Sequence, residues 1–384
     1  MIGSVAIFLH TTSRYGVLEL FSRAMGLAFQ NAGFKCYFLE GMENDEVAIL
    51  QRDDLAFTLS FNGVPTLCNR PITAISGKPH IACLVDPLHH YLPLLHLEGV
   101  KVSVADRSSL KMLPKGQERC FFLPHAARRL DFIESKDKAL PIAFFSTFID
   151  REPVCFGADS AKVHALIDEL AASFLNHPKV PYVDLAFQAI EADRQLHALF
   201  LQRRGNLYDF LAALELAIKG LDRVKLLEHI ERPVHVFGSS RQQSAWQDAL
   251  GHKTPHHFHG AVSVQQVLEV MASARVVLNS CPTISDGGHE RVFSALLKKA
   301  AVLTSYSGYL QEEFSEEDGV FSYRFGQWEE ANEQIERILQ DGEGTQLKVQ
   351  KGAEKVLSKH TYEARAATLL RLLEREPVSA PGLN

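Results

Sequence analysis

The feature that most constrains this chain is a repeated alternation of short apolar runs with longer amphipathic stretches. Strand-length apolar runs occur at 5–10, 35–39, 55–61, 80–85, 101–104 and 120–123. Between the first two, Leu18, Leu20, Phe21, Ala24, Met25, Ala28 and Phe29 recur at helical spacing and form one apolar face. Strand–helix–strand order predicts parallel strands joined by crossover helices. Residues 128–138 are charged and lack an apolar pattern, which predicts a linker. A second series of strands follows at 142–145, 234–237, 257–259, 276–279, 302–305 and 320–323. Residues 158–230 keep Leu, Ala and Ile at helical spacing for longer than one crossover needs, and read as a helical insertion. A last helix is predicted over 362–374, with Pro377 and Pro381 in a polar tail. The expectation is an α/β chain of two Rossmann-like domains facing a cleft. The first covers 1–127, a linker 128–140, the second 141–375 and the tail 376–384.

Composition removes several classes of partner. A net charge of −6 offers no basic footprint for nucleic acid. No apolar run approaches the ~20 residues that span a bilayer. The chain begins with a strand and shows no charged leader, so no signal peptide is expected. Its 6 cysteines are scattered, with Cys36, Cys83 and Cys120 in apolar runs and no C-x-x-C pair. That usage predicts reduced, buried thiols in a cytoplasmic protein.

The densest polar motif is Asp286-Gly287-Gly288-His289-Glu290-Arg291-Val292-Phe293. It lies between the runs 274–279 and 300–304, which read as consecutive buried strands, and it opens a helix carrying Val292, Phe293, Leu296 and Leu297. A polar loop at the carboxyl end of a buried strand, feeding a helix N-terminus, is where open α/β sheets bind anionic or hydroxyl-rich ligands. The glycines would let backbone approach a ligand. Glu290 can accept bonds from two hydroxyls, and Arg291 can meet a phosphate. The plainer alternative is a capped helix start with Asp286 near the N-cap.

Other pieces carry weaker signals. Phe237-Gly238-Ser239-Ser240-Arg241 follows a strand and could face a phosphate, although such turns are common as ordinary loops. His252, His256, His257 and His259 lack metal-ligand spacing and read as solvated loop and strand histidines. His10 and Asp86 end two early strands, where a turn role is the ordinary one. His125 would sit at the hinge, as a core histidine or facing the cleft.

Asn279, the 286–293 segment, Tyr306 and the late His360-Thr361-Tyr362 with Arg365 resemble the C-terminal half of spore-maturation-type (CgeB-like) glycosyltransferases. These belong to the GT-B class with group-1-like donor domains. Val85-Asp86-Pro87 with His89 and His90, and Leu123-Pro124-His125, resemble segments of related bacterial proteins. The resemblance is best over roughly 255–370.

It implies that the second domain binds a nucleotide-activated sugar and the first an acceptor. Donor contacts would come from Gly238, Ser239, Arg241, Gly260, Val262, Asn279, Asp286, Gly287, Gly288, His289, Glu290, Arg291 and Tyr306. Gly260-Ala261-Val262 matches a turn that meets the base in such domains. Catalysis would fall to Glu290 and Arg291, with His10 ranked above Asp86 as general base if transfer inverts. His10, Asp86 and His125 form the acceptor side. No cofactor and no catalytic metal are implied; the acceptor would be a glycan, a lipid-linked sugar or a protein such as flagellin. Group-1 donor domains carry two acidic residues eight apart here. Asp286 and Ser294 occupy those places, and Glu290, one turn before Ser294, would take over the hydroxyl contact. The missing carboxylate keeps open a non-catalytic nucleotide-sugar-binding protein; a sugar-nucleotide epimerase of the same fold is the other alternative.

Overall fold

The computed structural model describes residues 3–9, 16–40, 44–67, 70–113, 119–134, 137–150, 154–177, 180–202, 204–238, 243–251 and 254–374. The early strands are β1 (Ser4–Phe8), β2 (Lys35–Leu39), β3 (Leu55–Phe61), a short hairpin β4 (Thr66–Leu67) and β5 (Arg70–Pro71), β6 (His80–Cys83), β7 (Val100–Val104) and β8 (Cys120–Phe122). Between them lie α1 (Val17–Asn31), α2 (Asn44–Leu50) and α3 (Ile72–Ser76). Six strands form one parallel sheet in the order β2-β1-β3-β6-β7-β8. Every residue of central β1 is buried, whereas edge strand β2 is half exposed. Helices on both faces account for the unbroken apolar runs that mark the inner strands.

The later elements are β9 (Leu140–Phe145), α4 (Ser160–Asn176), α5 (Tyr182–Ala192), α6 (Arg194–Gln202), α7 (Arg204–His229), β10 (His235–Phe237), α8 (Gln243–Leu250), β11 (His257–His259), α9 (Val264–Ser273) and β12 (Ala274–Asn279). Then come α10 (Glu290–Leu297), β13 (Ala301–Ser305), α11 (Gly308–Glu313), β14 (Val320–Tyr323), α12 (Glu329–Gln340), α13 (Gly342–Lys359) and α14 (Tyr362–Glu374). The second sheet is parallel with the order β11-β10-β9-β12-β13-β14. This is the doubly wound dinucleotide order, whose strand direction of travel reverses between β9 and β12. Helices α4 to α7 fill the expected insertion. Val163, Ile167 and Phe174 of α4 and Phe210, Leu214 and Ile218 of α7 join the second sheet's core.

One element departs from the expected division at 141–375. Helix α14 packs on α1, and its Tyr362, Ala366 and Leu369 belong to the first sheet's core with Phe21, Met25 and Phe29. The return crossing is fixed by a bridge between Ala127 and Thr361 and by the Arg365 guanidinium, which donates to the carbonyls of Pro124, His125 and Lys359. Among the described residues no helix is long and apolar enough to cross a membrane.

Candidate functional site

A cleft cavity of about 420 Å³ opens at the switch point of the second sheet. Phe145, Ser146 and Thr147 leave β9 there, Phe237 and Gly238 leave β10, and Ala261 and Val262 follow β11. Val264, Val267, Leu268 and Met271 of α9 give it an apolar wall. Gly238 is needed for the close approach of the two strand ends: a Cβ there would stand 2.5 Å from the Ser146 carbonyl oxygen. Opposite, the first sheet contributes Val17, Leu20 and Phe21 of α1, together with Asp86. An apolar pocket with a few converging polar groups is the usual form of a small-molecule site.

Those polar groups come largely from α10. Glu290, Arg291 and Ser294 all line the cavity, with Glu290 and Ser294 one helical turn apart as their spacing predicts. The helix is capped by His289, not by Asp286. His289 Nδ1 lies 2.7 Å from Glu290 Oε2 and 3.3 Å from the Arg291 amide nitrogen. A neutral ring would accept the amide, whereas a protonated ring donates to the carboxylate. Burial alone would lower the His289 pKa; its interactions with Cys281 and Glu290 outweigh it and raise it to about 9. Burial would likewise raise Glu290, yet His289, His125 and Arg291 hold it well below the usual carboxylate range. For Cys281 burial is again opposed, by His289, Arg291 and Lys219, and the thiol pKa falls. His289 and Glu290 therefore form a charged pair behind the cavity, with Cys281 beside it.

His125 stacks on His289 with ring centroids 5.6 Å apart, and its Nδ1 is 3.8 Å from Glu290 Oε2. Burial lowers its pKa to about 4, so it is neutral at pH 7. It does not line the cavity. The acceptor-side role expected for His125 gives way to support of the Glu290–His289 pair.

Two cations that sequence reading missed complete the site. Arg223 of α7 lines this cavity and an adjoining one of about 110 Å³. Its Nη1 donates to the Thr147 carbonyl at 2.8 Å, and its buried Nε has no partner. Burial, then the like charge of Arg291, lowers its pKa to about 10. Lys219, one turn earlier, lines the smaller cavity with Arg223 and Arg291. Like charges gathered around an empty volume, one with an unmet donor, suit a multiply charged anion. Nothing in the local sequence of a long amphipathic helix marks Arg223 as special.

Asp86 borders both cavities from the first sheet. Asn62, in the left-handed region at φ 49°, donates to Asp86 Oδ2 at 2.7 Å and accepts from the Val85 amide at 2.8 Å. The strained asparagine holds the turn that presents Asp86. His10, Ser239 and Arg241 lie outside the described residues.

The 286–288 stretch does not face the cavity. Asp286 accepts from Arg107 Nη2 at 2.8 Å, and its carbonyl accepts from the Arg107 amide. Asp106 accepts from the amides of Ser285 and Asp286 and forms a backbone bridge with Gly287. A Cβ on Gly287 would fall 2.2 Å from the Ala105 carbonyl oxygen, and one on Gly288 would fall 2.7 Å from Phe293. Asp286 and Gly287 thus lie in a strap between the two sheets, while Gly288 packs within its own domain, where donor contacts were expected of all three. Asn279 is also structural, donating to Thr304 Oγ1 at 3.0 Å from a buried position. Gly260 and Tyr306 do not line the cavity either; the Tyr306 amide pairs with the Tyr323 carbonyl. His256 is not solvated, as expected, but a buried strut between the Val234 amide and the Leu227 carbonyl.

Residues 219–371 match the glycosyl transferase-like family. Similarity over the whole chain is structural. Sucrose-phosphate synthase from Thermosynechococcus elongatus superposes with a TM-score of 0.53 at 11% identity, over 97% of this chain and 98% of that one. HepE from Anabaena, in complex with UDP and glucose, gives 0.55 at 11%, covering 97% and 100%. A glycosyltransferase involved in avilamycin A biosynthesis gives 0.56 at 13%, covering 97% of each. The fold is GT-B. Its two Rossmann-like domains place the cavity where the sheets' carboxyl ends face one another, and the family match spans Arg223, Glu290, Arg291 and Ser294. Among curated proteins, none matches the chain in sequence.

Proposed function

We propose that this protein is a glycosyltransferase that moves a sugar from a nucleoside diphosphate sugar to an acceptor hydroxyl, as a member of the spore-maturation-type branch. The observation that carries the reading is the pair Arg223 and Arg291 on the switch-point cavity, with the buried Arg223 Nε unpartnered. The base would lie against the apolar wall of Phe237, Val262 and Val264, and the diphosphate among Arg223, Arg291 and Lys219. As the bond to the sugar breaks, charge grows on the leaving phosphate; fixed cations there stabilise that charge without reorganisation. No bound ion and no cofactor are needed for this chemistry. Glu290, kept ionised by its neighbours, accepts from sugar hydroxyls, and Ser294 adds a hydroxyl where a second carboxylate would stand. Asp86, held by Asn62 across the cavity, takes the acceptor proton if transfer inverts. His10 is the rival base. The acceptor would be a glycan, a lipid-linked sugar or a protein.

UDP is the first nucleotide to test, because HepE is seen with it. Thermal shift with UDP, other nucleoside diphosphates and their sugars should show stabilisation by one nucleotide. The shift should shrink in R223A and R291A. A wild-type protein that no nucleoside diphosphate or its sugar stabilises would overturn the reading. Conversion of the donor with no acceptor present would point to an epimerase, and binding without turnover to a non-catalytic protein.

A further inference from the structure

The smaller cavity has a second feature that the transfer chemistry does not use. His89 and His90 lie on a 3₁₀ segment, Leu88–His96, after β6, and Glu215 lies on α7. They come from opposite sides of the cleft. Glu215 Oε2 is 3.4 Å from His89 Nε2 and 3.1 Å from His90 Nε2, and the three ligand atoms lie within 4.8 Å of one another. His89 is 1% exposed, and its Nε2 has no hydrogen-bond partner. Its Nδ1 is 3.2 Å from Tyr182 Oη. A proton on Nδ1, donated to the tyrosine, leaves a lone pair on Nε2 aimed at the cluster. Glu215 Oε1 is taken by Lys219, which leaves Oε2 for the two imidazoles.

We propose that His89, His90 and Glu215 form a binding site for a divalent transition ion of the Zn²⁺ class, clamping the first domain to the helical insertion of the second. Two imidazoles and one carboxylate are a zinc donor set, and bonds of about 2.0–2.2 Å in a tetrahedron put ligand atoms about 3.3 Å apart. The two separations to Oε2 already match that edge. An outer partner on the far nitrogen of a ligating histidine fixes its tautomer, and Tyr182 stands in that place. A fourth position would be left for water. The ion is not part of the proposed transfer chemistry; it would join elements that must stay close when the cleft is closed. Lys219 opposes the cation's charge, so the site is weaker than a bare two-histidine, one-carboxylate set.

The test uses the full chain, stripped with a chelator, dialysed, and titrated with Zn²⁺ and separately with Co²⁺. One equivalent of each should bind, and Co²⁺ should acquire the intense visible absorption of a four-coordinate ion. E215Q and H90A should each weaken affinity by at least about 100-fold, since loss of an outer partner alone costs about 10–100-fold. The His90 side chain is 38% exposed, so H90A keeps the test decisive if E215Q misfolds. Failure of the wild-type chain to bind one equivalent would overturn the proposal. Wild-type affinity in folded H90A would do the same, and would move the ion elsewhere, for example to the stacked His235 and His259. Nucleotide binding plays no part in these readouts, so their failure leaves the proposed transfer unaffected.

Discussion

Two neighbouring parts of one polar segment have opposite fates. Residues 285–287 turn away from the cavity and are gripped by Asp106 and Arg107 of the other domain. Glu290, Arg291 and Ser294 turn into the cavity. Both parts carry an acid, and both lie beside glycine or a helix start. What separates them is the N-cap at His289, which sets the phase of α10 and so decides which side chains the sheet presents to the cleft. A charged residue near a glycine turn is therefore ambiguous, whereas one on the first exposed turn of the switch-point helix is not.

The cavity half should be the more sensitive to substitution. Removing Arg291 or Arg223 should lower kcat/KM for donor turnover by about 10²–10³, the usual loss for one preorganised charge donor, with little change in melting temperature. Near-normal turnover in both folded variants would move the donor elsewhere. The strap half should respond in stability rather than chemistry. Gly287→Ala forces a Cβ against the Ala105 carbonyl, and should cost about 1–3 kcal/mol in denaturant unfolding, as overpacking does. A neutral effect would mean that the two domains separate easily at this contact.

A smaller effect should come from His289, at the boundary between the halves. Its folded pKa of about 9 lies above its ordinary 6.5, so its stabilising charge is fully present below pH 6.5 and is lost as pH rises through 9. NMR titration should show a protonated ring at pH 7.5, and Cys281→Ser should bring the midpoint down. A wild-type midpoint near 6.5 would remove the charged pair. The smallest effect belongs to the Arg107–Asp286 pair. It is partly exposed, with side chains 33% and 28% accessible, so Arg107→Ala should cost only about 0.2–1 kcal/mol. A tenfold loss of turnover there would show that the strap controls closure.

The sheets were legible because buried parallel strands are uninterrupted apolar runs. All twelve strands read from sequence are present, with ends that differ by one or two residues, as at Ser4–Phe8 against 5–10. The first turn of α10 was legible as well, because charge stands at a helix start after a buried strand. Arg223 was not, since a lone arginine on a 26-residue helix looks like any solvated one. The Asp106–Gly287 bridge and the His89–Glu215 approach join residues more than a hundred positions apart, and no local period records such pairs. The asparagine that carries Asp86 was hidden for another reason: its left-handed conformation leaves no mark in composition beyond the glycine that follows it.

The return of α14 to the first domain has a consequence for how the molecule is made. A ribosome delivers β1 and α1 long before Tyr362, Ala366 and Leu369, which finish their core. The first domain cannot close its core during synthesis, even though its own sheet is complete by Phe122. It must wait, with part of α1 uncovered, while some 240 further residues are added. A truncation that stops before Tyr362 would thus expose apolar surface at the opposite end of the sequence, and the defect would appear as aggregation of the N-terminal half.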